Sequence, residues 1–328
     1  MQLNAAAWRI VTDVLDRERT LHVASHTTAC GARIVDCGVK AAGGVDAGVA
    51  MARAALAGLG SVELDTSGLD GWPNCPWPIV HVASDAPLAA CLASQYAGWK
   101  VSGKGYFAMA SGPIRAAIGR EDLYDVIGMR ERTDVAVGLL ETPQLPPDDV
   151  CLSLAAAAGV KPAGLALLVA RTASIAGTLQ VIARSLETAL HKLHDLHFDL
   201  GRIRRGTGRA PLAPVPDRDD LAAIGRTNDA ILYGGHVVLE VSGDDASLLQ
   251  VGPRMVSRAS ADYGASFRAL FERAGRDFYA LDPALFAPAL VELVNVDTGR
   301  RHRFGGIAPQ IVHTSFTAAT DAAARSGA

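Results

Sequence analysis

Four polar residues at helical spacing are the first candidates for chemistry in this chain. Arg184, Glu187, His191 and His194 follow one another at intervals of three or four residues. A carboxylate next to a guanidinium can act as a general base held in place by a fixed positive charge. The same spacing is typical of an ordinary ion pair on a solvated helix face, which stabilises a helix by a few tenths of a kcal/mol. The residues alone leave both interpretations open.

The two histidines could also be metal ligands, because residues three apart share one side of a helix. No further Cys or His stands near His191 and His194 at the spacing of a zinc site, so a packed or solvated imidazole is favoured. The chain contains neither G-x-S-x-G nor H-E-x-x-H, which disfavours a serine hydrolase or a zinc peptidase. We therefore predict no metal site.

A helix must position this polar stripe, and the sequence predicts it over Thr172–Leu196. The segment runs without Pro or Gly from Thr178 onward. Its apolar residues are also three or four apart, as in an amphipathic helix: Ile182, Leu186, Leu190 and Leu193. This apolar stripe should face a core. The run of Leu and Val at Leu165–Val169 predicts a buried strand just before the helix.

Glycine-rich stretches supply weaker signals. The sequence CGVKAAGGVDAG (37–48) follows a predicted strand at Arg33–Val39, where backbone N–H groups can meet an anion. Neither this stretch nor GTGRAP (206–211) has the G-x-G-x-x-G spacing of a dinucleotide fold. Asp199–Asp220 is polar and rich in Gly and Pro, so we expect a long, functional or mobile connection.

Two further polar groups have both a plain and a functional interpretation. Ser111, in Ser-Gly-Pro, is either part of a bare turn or of an anion-binding nest. Asn228 and Asp229 either form a turn or bind a polar heterocycle. Strands predicted at Ala230–Tyr233 and Val237–Val241 would be joined by Gly234-Gly235 as a hairpin.

Composition narrows the class of protein. The 328 residues are 49% hydrophobic and 20% charged, as in a globular protein with a sizeable core. The net charge of −3, with scattered basic residues, argues against a nucleic-acid surface. The N-terminus lacks the pattern of a signal peptide, and no apolar run is long enough to span a membrane. Five cysteines without a C-x-x-C favour reduced thiols and a cytoplasmic protein.

Intermixed strands and helices predict an α/β (α+β) protein with mixed sheets and flanking helices. The Pro-rich segment at 143–149 suggests an N-terminal domain over residues 1–150. A second domain over residues 151–316 would carry the polar helix, and either domain could be discontinuous in sequence. The small polar residues of 317–328 predict a frayed tail.

Several long stretches together resemble methenyltetrahydromethanopterin cyclohydrolases, most closely those of methylotrophic bacteria. The stretches are GARIVDCGVKAAGG (31–44), ASDAPLAACLASQYAGWK (83–100), YFAMASGP (106–113), RTASIAGTLQVIARSLETALHKLHDLHFDL (171–200) and GRTNDAILYGG (225–235). The resemblance implies two α/β domains around a pterin cleft. It also implies reversible hydrolysis of the N5,N10-methenyl bridge of tetrahydromethanopterin to the N5-formyl compound, in one-carbon metabolism and formaldehyde oxidation.

The resemblance assigns roles to residues. Its Arg and Glu fall on Arg184 and Glu187, with Glu187 as the base for the attacking water. Substrate contacts are expected from Lys100, Lys104, Ser111, Asn228 and Asp229, and Lys100 or Lys104 could protonate N10. No metal and no cofactor is implied, since tetrahydromethanopterin or its dephospho form is the carrier substrate. The expected partners are the small-molecule pterin and further copies of the chain in a homo-oligomer, with trimers described among archaeal members of the family, and no nucleic acid or membrane.

The sequence departs from the family pattern in one motif. The family has YFAMGSGP, whereas Ala110 here replaces the first glycine, and Gly105 stands where a larger residue is expected. A Cβ at position 110 requires a compatible backbone angle. These departures motivate an alternative, a catalytically weak pterin-binding paralogue with the same fold.

Overall fold

A computed structural model describes residues 2–319 and contains two mixed six-stranded sheets with flanking helices. The predicted fold class is confirmed. The strands are β1 (Ala24–Thr27), β2 (Arg33–Gly38), β3 (Ser61–Asp65), β4 (Ile79–Ser84), β5 (Trp99–Gly103), β6 (Tyr106–Ser111), β7 (Ala136–Glu141), β8 (Leu165–Ala170), β9 (Ile203–Pro211), β10 (His236–Val241), β11 (Leu290–Asn295) and β12 (Arg301–Gly305). The α-helices are α1 (Leu3–Asp16), α2 (Glu18–Leu21), α3 (Val45–Ala55), α4 (Ile114–Ile118), α5 (Leu123–Ile127), α6 (Asp148–Ala158), α7 (Ile175–Ile182), α8 (Ser185–Asp195), α9 (Asp220–Leu232), α10 (Asp245–Val251), α11 (Phe267–Arg273) and α12 (Pro309–Thr317).

The chain forms two compact units, each assembled from two segments. The first comprises Met1–Ser61 and Leu88–Gln180, and the second comprises Val62–Pro87 and Val181–Ala328. This division differs from the predicted boundary at residue 150, because β8 belongs to the first sheet, between β2 and β7. Of the predicted frayed tail, residues 320–328 lie outside the described residues.

The first unit holds the sheet β1-β2-β8-β7-β6-β5, in which β2, β8 and β7 run parallel. Apolar residues of α1 and α3 pack on one face of this sheet, and those of α4 and α6 pack on the other. Every residue of β8 is buried, which accounts for its continuous apolar sequence. The predicted buried strand at Leu165–Val169 is confirmed.

The second unit holds the sheet β12-β11-β10-β9-β4-β3. Its strand β9 pairs antiparallel with both β4 and β10. The predicted irregular connection at Asp199–Asp220 was therefore wrong over Ile203–Pro211, which forms this strand. The glycines that suggested a loop are instead buried positions within β9.

The predicted single helix over Thr172–Leu196 is two helices, α7 and α8, with a break at Ala183-Arg184. Arg184 has φ −85° and ψ 6°, in the bridge region rather than the helical one. Its N–H donates to the carbonyl of Val181, three residues back instead of four. Neither Pro nor Gly marks this break, so periodicity could not reveal it.

The predicted hairpin around Gly234-Gly235 was also wrong. Ala230, Ile231 and Leu232 form the last turn of α9, and only the second predicted strand exists, as β10. Asp219 caps the start of α9 by accepting a hydrogen bond from Ala222 N–H at 2.9 Å. A short apolar run fits a buried helix end as well as a strand, so its sequence does not separate the two.

The glycine-rich turn after β2 surrounds a carboxylate of the same chain. The buried carboxylate of Asp36 accepts backbone hydrogen bonds of 2.7–3.1 Å from Gly38, Val39, Lys40 and Ala41. The anion that these backbone N–H groups were predicted to bind is therefore a side chain of the protein itself. This set of four hydrogen bonds, the Asp36 nest, stabilises the turn, so the four N–H groups are not available to a ligand.

Candidate active site

The break before α8 places Glu187 in the first turn of a new helix. Arg184 occupies the N-cap position, and its carbonyl accepts the Thr188 N–H at 2.8 Å. The free N–H groups and the dipole of a helix N-terminus favour negative charge. The backbone of the second unit therefore supports a carboxylate at position 187.

Burial decides between the two interpretations of this pair. Glu187 is only 2% exposed and Arg184 only 9% exposed. An ordinary surface ion pair would leave both side chains in solvent, where it contributes little. Charged residues are rarely buried unless a structural or chemical role holds them there. The solvated-face interpretation is therefore wrong for Arg184 and Glu187.

His191 is the next residue of the polar stripe, one turn beyond Glu187 on α8. Its Nδ1 lies 3.4 Å from Glu187 Oε1, and its Nε2 lies 3.8 Å from Asp195 Oδ1. The His191 side chain is 35% exposed. Burial lowers the pKa of His191, but its hydrogen bond and charge interaction with Glu187 outweigh that effect, so the pKa lies above its ordinary value. His191 therefore connects a buried carboxylate with the surface.

Lys192 anchors the middle of α8. It is 3% exposed, its Nζ donates to the Pro283 carbonyl at 2.5 Å, and Asp195 Oδ2 lies 3.7 Å away. Burial lowers the pKa of Lys192 below its ordinary value. This lysine ties α8 to the chain around residue 283 and helps to fix the helix that carries Glu187.

Two glycines of β9 let α8 lie directly on the second sheet. A Cβ on Gly208 would stand 2.5 Å from Ser185 Oγ and 2.6 Å from the Leu186 nitrogen, and one on Gly206 would stand 2.6 Å from Leu186 Cδ1. Contacts below 3 Å at these sites involve backbone as well as side chain and cannot relax easily. The GTG of residues 206–208 therefore serves close packing under the first turn of α8.

The predicted substrate contacts in the first unit lie along the hairpin of β5 and β6. Lys100 is exposed on β5 opposite Met109, and Lys104 is exposed in the turn between the strands. Ser111 ends β6 and is fully buried. A cavity of about 360 Å³ adjoins Lys100 and is also lined by Trp99 and Arg115. The structure thus makes the two lysines accessible, but not Ser111.

The two departures from the family motif are compatible with this hairpin. Ala110 is buried within β6, opposite Trp99 on one side and Leu140 on the other. Its backbone is ordinary strand and needs no glycine. Gly105 has φ +71°, which suits the glycine of a tight turn between the strands. Neither departure disturbs the local fold.

Asn228 and Asp229 lie on α9 rather than in a turn. The half-buried Asn228 donates from Nδ2 to the Ile224 carbonyl at 2.9 Å. Asp229 is fully buried, and its Oδ1 accepts the Phe267 N–H at the start of α11, at 2.8 Å. Burial raises the pKa of Asp229 to about 7. The geometry favours a structural role for Asp229 over the predicted contact with a heterocycle.

Among residues 2–319, no group of three or more His, Cys, Asp or Glu is arranged to hold a metal ion. The alternative in which the α8 histidines bind a metal thus finds no third ligand in that range. Within the same described range, no helix has the length and hydropathy needed to span a membrane. The chemistry available at α8 is that of a carboxylate, a guanidinium and an imidazole.

Two features of the site escaped the sequence-based interpretation. His191 was considered as a metal ligand or as a packed or solvated imidazole, although its i,i+4 spacing from Glu187 could have suggested the pairing. The role of Gly206 and Gly208 depends on a helix that precedes them by about twenty residues. No local pattern links those glycines to Glu187.

Comparison with known proteins provides independent evidence about this chain. Residues 2–316 match the family model described as Cyclohydrolase (MCH). The chain is 41% identical over 307 residues to the methenyltetrahydromethanopterin cyclohydrolase of Methylobacillus flagellatus, covering 94% of this chain and 93% of that protein. It is 44% identical over 286 residues to the protein of that name from Xanthobacter autotrophicus, covering 87% and 83%. It is 37% identical over 319 residues to the one from Methanosarcina mazei, covering 96% and 98%.

Proposed function

Because the chain belongs to the cyclohydrolase (MCH) family, we propose that it hydrolyses N5,N10-methenyl-tetrahydromethanopterin to the N5-formyl compound, reversibly, in one-carbon metabolism. The relatives named methenyltetrahydromethanopterin cyclohydrolase match most of this chain, and this similarity supports the proposed substrate. One observation in the structure supports the chemistry most directly. It is the nearly complete burial of Glu187 in the first turn of α8, the helix that begins directly after Arg184.

The reacting carbon of the substrate lies between two nitrogens and shares a positive charge with them, as in an amidinium. Such a carbon is already electrophilic, so the enzyme has to supply a positioned water and a base. We assign the base to Glu187, which takes a proton from water as the oxygen attacks the methenyl carbon. Its negative charge also offsets the charge of the cation. Arg184 orients the carboxylate and the water.

The neutral carbinolamine that results must then collapse. Its hydroxyl loses a proton as the carbonyl forms, the bond from carbon to N10 breaks, and N10 gains a proton. Lys100 and Lys104, exposed on the hairpin of β5 and β6, are our candidates for the donor to N10. We further propose that the half-buried Asn228 contacts the substrate, and that the buried Ser111 and Asp229 support the site from behind it. The reaction as written requires no metal and no cofactor beyond the pterin carrier.

The test is the decay of methenyl absorbance with purified protein and methenyl-tetrahydromethanopterin. Glu187→Gln keeps the size of the side chain and removes the base, so kcat should fall by a factor of about 10² or more while Tm stays close to wild type. Binding of the substrate, followed by calorimetry, should persist. Full activity in Glu187→Gln would reject the mechanism.

Absence of turnover by the wild-type protein, together with pterin binding, would instead favour the weak paralogue. Absence of both would reject the proposed substrate. We expect neither result, because the departures at Ala110 and Gly105 leave the β5–β6 hairpin regular.

We also propose that the protein is cytoplasmic and self-associates, as a trimer. All five cysteines are free in the structure, which suits a reducing compartment. The mass of one chain is 34.2 kDa, so light scattering distinguishes a monomer from a trimer directly. A monomer at micromolar concentration would contradict the proposed assembly without affecting the proposed reaction.

A further inference from the structure

The proposed hydrolysis must release one proton in every turnover. The methenyl substrate carries a positive charge at the reacting group, water is neutral, and the formyl product is neutral there. Charge therefore balances only if one proton leaves for solvent. Glu187, which accepts the proton from the attacking water, is 2% exposed. A buried base that collects a proton each cycle needs a route by which to pass it on.

We propose that His191 relays this proton between Glu187 and solvent. The inference rests on the proposed function and adds a residue that acts through Glu187 rather than on the substrate. His191 Nδ1 lies 3.4 Å from Glu187 Oε1, close to hydrogen-bond distance. The His191 side chain is 35% exposed, whereas Glu187 is buried. Asp195 Oδ1 lies 3.8 Å from Nε2 and is a second acceptor at the surface.

The relay balances as follows. Neutral His191, with its hydrogen on Nε2, accepts the proton of the Glu187 carboxyl group at Nδ1 and becomes an imidazolium. Its Nε2–H bond then breaks, and that proton goes to water directly or through the Asp195 carboxylate. Glu187 is a carboxylate again, and rotation of the partly exposed ring or exchange with water restores the first tautomer. Formyl cyclisation takes up one proton by the reverse route.

The charges around His191 suit this role. Glu187 and Asp195 favour its protonation, whereas Lys192 and its neighbour His194 oppose it. From other elements, Asp282 raises and Arg254 lowers the pKa of Lys192. Burial lowers the pKa of His191, but Glu187 and Asp195 together raise it above the ordinary 6.5, and imidazole is the side chain that ordinarily titrates nearest to neutral pH. A group with a much higher pKa would stay protonated near neutral pH, and a group with a much lower pKa would stay deprotonated.

The test is steady-state hydrolysis by His191→Gln in weak buffer, from pH 5.5 to 8.5. Gln keeps a polar contact with Glu187 but cannot carry a proton. We expect kcat to fall about 10-fold or more, with KM within roughly twofold of wild type. The rise of wild-type kcat with pH, as His191 becomes neutral, should disappear. Added imidazole should restore kcat in a saturable manner.

His194→Gln is the matched control, since it makes the same change one turn further along the exposed side of α8. It should leave kcat and the imidazole response unchanged, and it should retain the rise of kcat with pH. Wild-type kcat and pH profile in His191→Gln would overturn the relay. A loss of kcat that imidazole does not restore would also overturn it and assign His191 a structural role.

If His191→Gln does not fold, Asp195→Asn gives the decision in a protein that retains His191. Removing this negative charge should move the His191 limb of the pH profile to lower pH, and an unchanged limb would contradict the relay. The two proposals fail differently. Full activity in Glu187→Gln rejects the mechanism itself, whereas an inactive Glu187→Gln with a normal His191→Gln rejects the relay alone.

Discussion

The backbone of Gly208 lies so close to Leu186 that a Cβ on the glycine would stand 2.6 Å from the Leu186 nitrogen. This contact seats the first turn of α8 on β9, and Glu187 is the next residue along that turn. The position of the proposed base therefore depends on the absence of a side chain at Gly208, a residue of β9. Packing, rather than a direct contact with Glu187, makes Gly208 important to the site.

Gly208→Ala should accordingly disturb activity as well as stability. The added methyl group meets backbone, so α8 must shift by some tenths of an ångström or more, which costs about 1–3 kcal/mol. We expect a lower Tm and a kcat reduced at least several-fold, because small displacements of a base are costly. Gly306→Ala is the control, since a Cβ there meets nothing within 4 Å. Equal effects of the two variants would refute the packing argument.

The apolar side of α8 gives a contrasting prediction. Leu190 is completely buried, so Leu190→Ala should lower the free energy of unfolding by roughly 2–5 kcal/mol. The folded fraction should keep kcat close to wild type, because Leu190 faces the core. Leu249→Ala makes the same change at a side chain that is 53% exposed and should cost less than about 0.5 kcal/mol. Urea denaturation compares the two, and similar losses would argue against the assigned orientation of α8.

The sequence predicted the buried apolar face of this helical segment correctly, because apolar residues at helical spacing indicate a face that packs on a core. It did not predict the break at Arg184, since no Pro or Gly marks it, nor the burial of Glu187. Burial of Glu187 depends on how α8 lies against β9, and β9 itself was mistaken for a loop because of Gly206 and Gly208. Glycine indicates both flexible turns and close packing, and only the neighbouring element distinguishes them.

Residue identities at the site came from family resemblance more than from periodicity. Spacing alone left Arg184 and Glu187 open to an ordinary surface ion pair. Asp229 shows the opposite case, because its motif is matched while its carboxyl group is buried against Phe267. A matched motif therefore locates a residue without deciding whether the residue contacts a ligand or supports the fold.

Asp36 offers a test of the glycine-rich turn in the first unit. Its carboxylate accepts four backbone hydrogen bonds, two on each oxygen. Asp36→Asn replaces one acceptor oxygen by an NH₂ group that faces two N–H donors, so we expect a loss of about 1–3 kcal/mol in stability. Asp46→Asn, at an exposed site in α3, should cost only a few tenths of a kcal/mol. Thermal unfolding of both proteins measures the difference, and similar Tm values would contradict the structural role of the nest.

The pH dependence of stability provides the last prediction, through Asp229. Burial raises its pKa in the native protein from 3.8 to about 7, so between these values the folded state holds a proton that the unfolded state has lost. Stability must then fall as pH rises through this window, by up to about 1.4 kcal/mol per pH unit. Asp229→Asn cannot titrate and should lack this contribution.

We therefore expect Asp229→Asn to gain stability relative to wild type from pH 5 to pH 7, and the difference to level off above that. Urea unfolding at pH 5, 6, 7 and 8 measures it. Asn228→Gln, a change in the adjacent and non-titrating residue of α9, should differ from wild type by an amount that does not vary with pH. Parallel curves for Asp229→Asn and wild type would mean that the buried carboxyl group does not change its protonation on unfolding, and its structural role would then rest on its hydrogen bonds with Phe267 and Ser315.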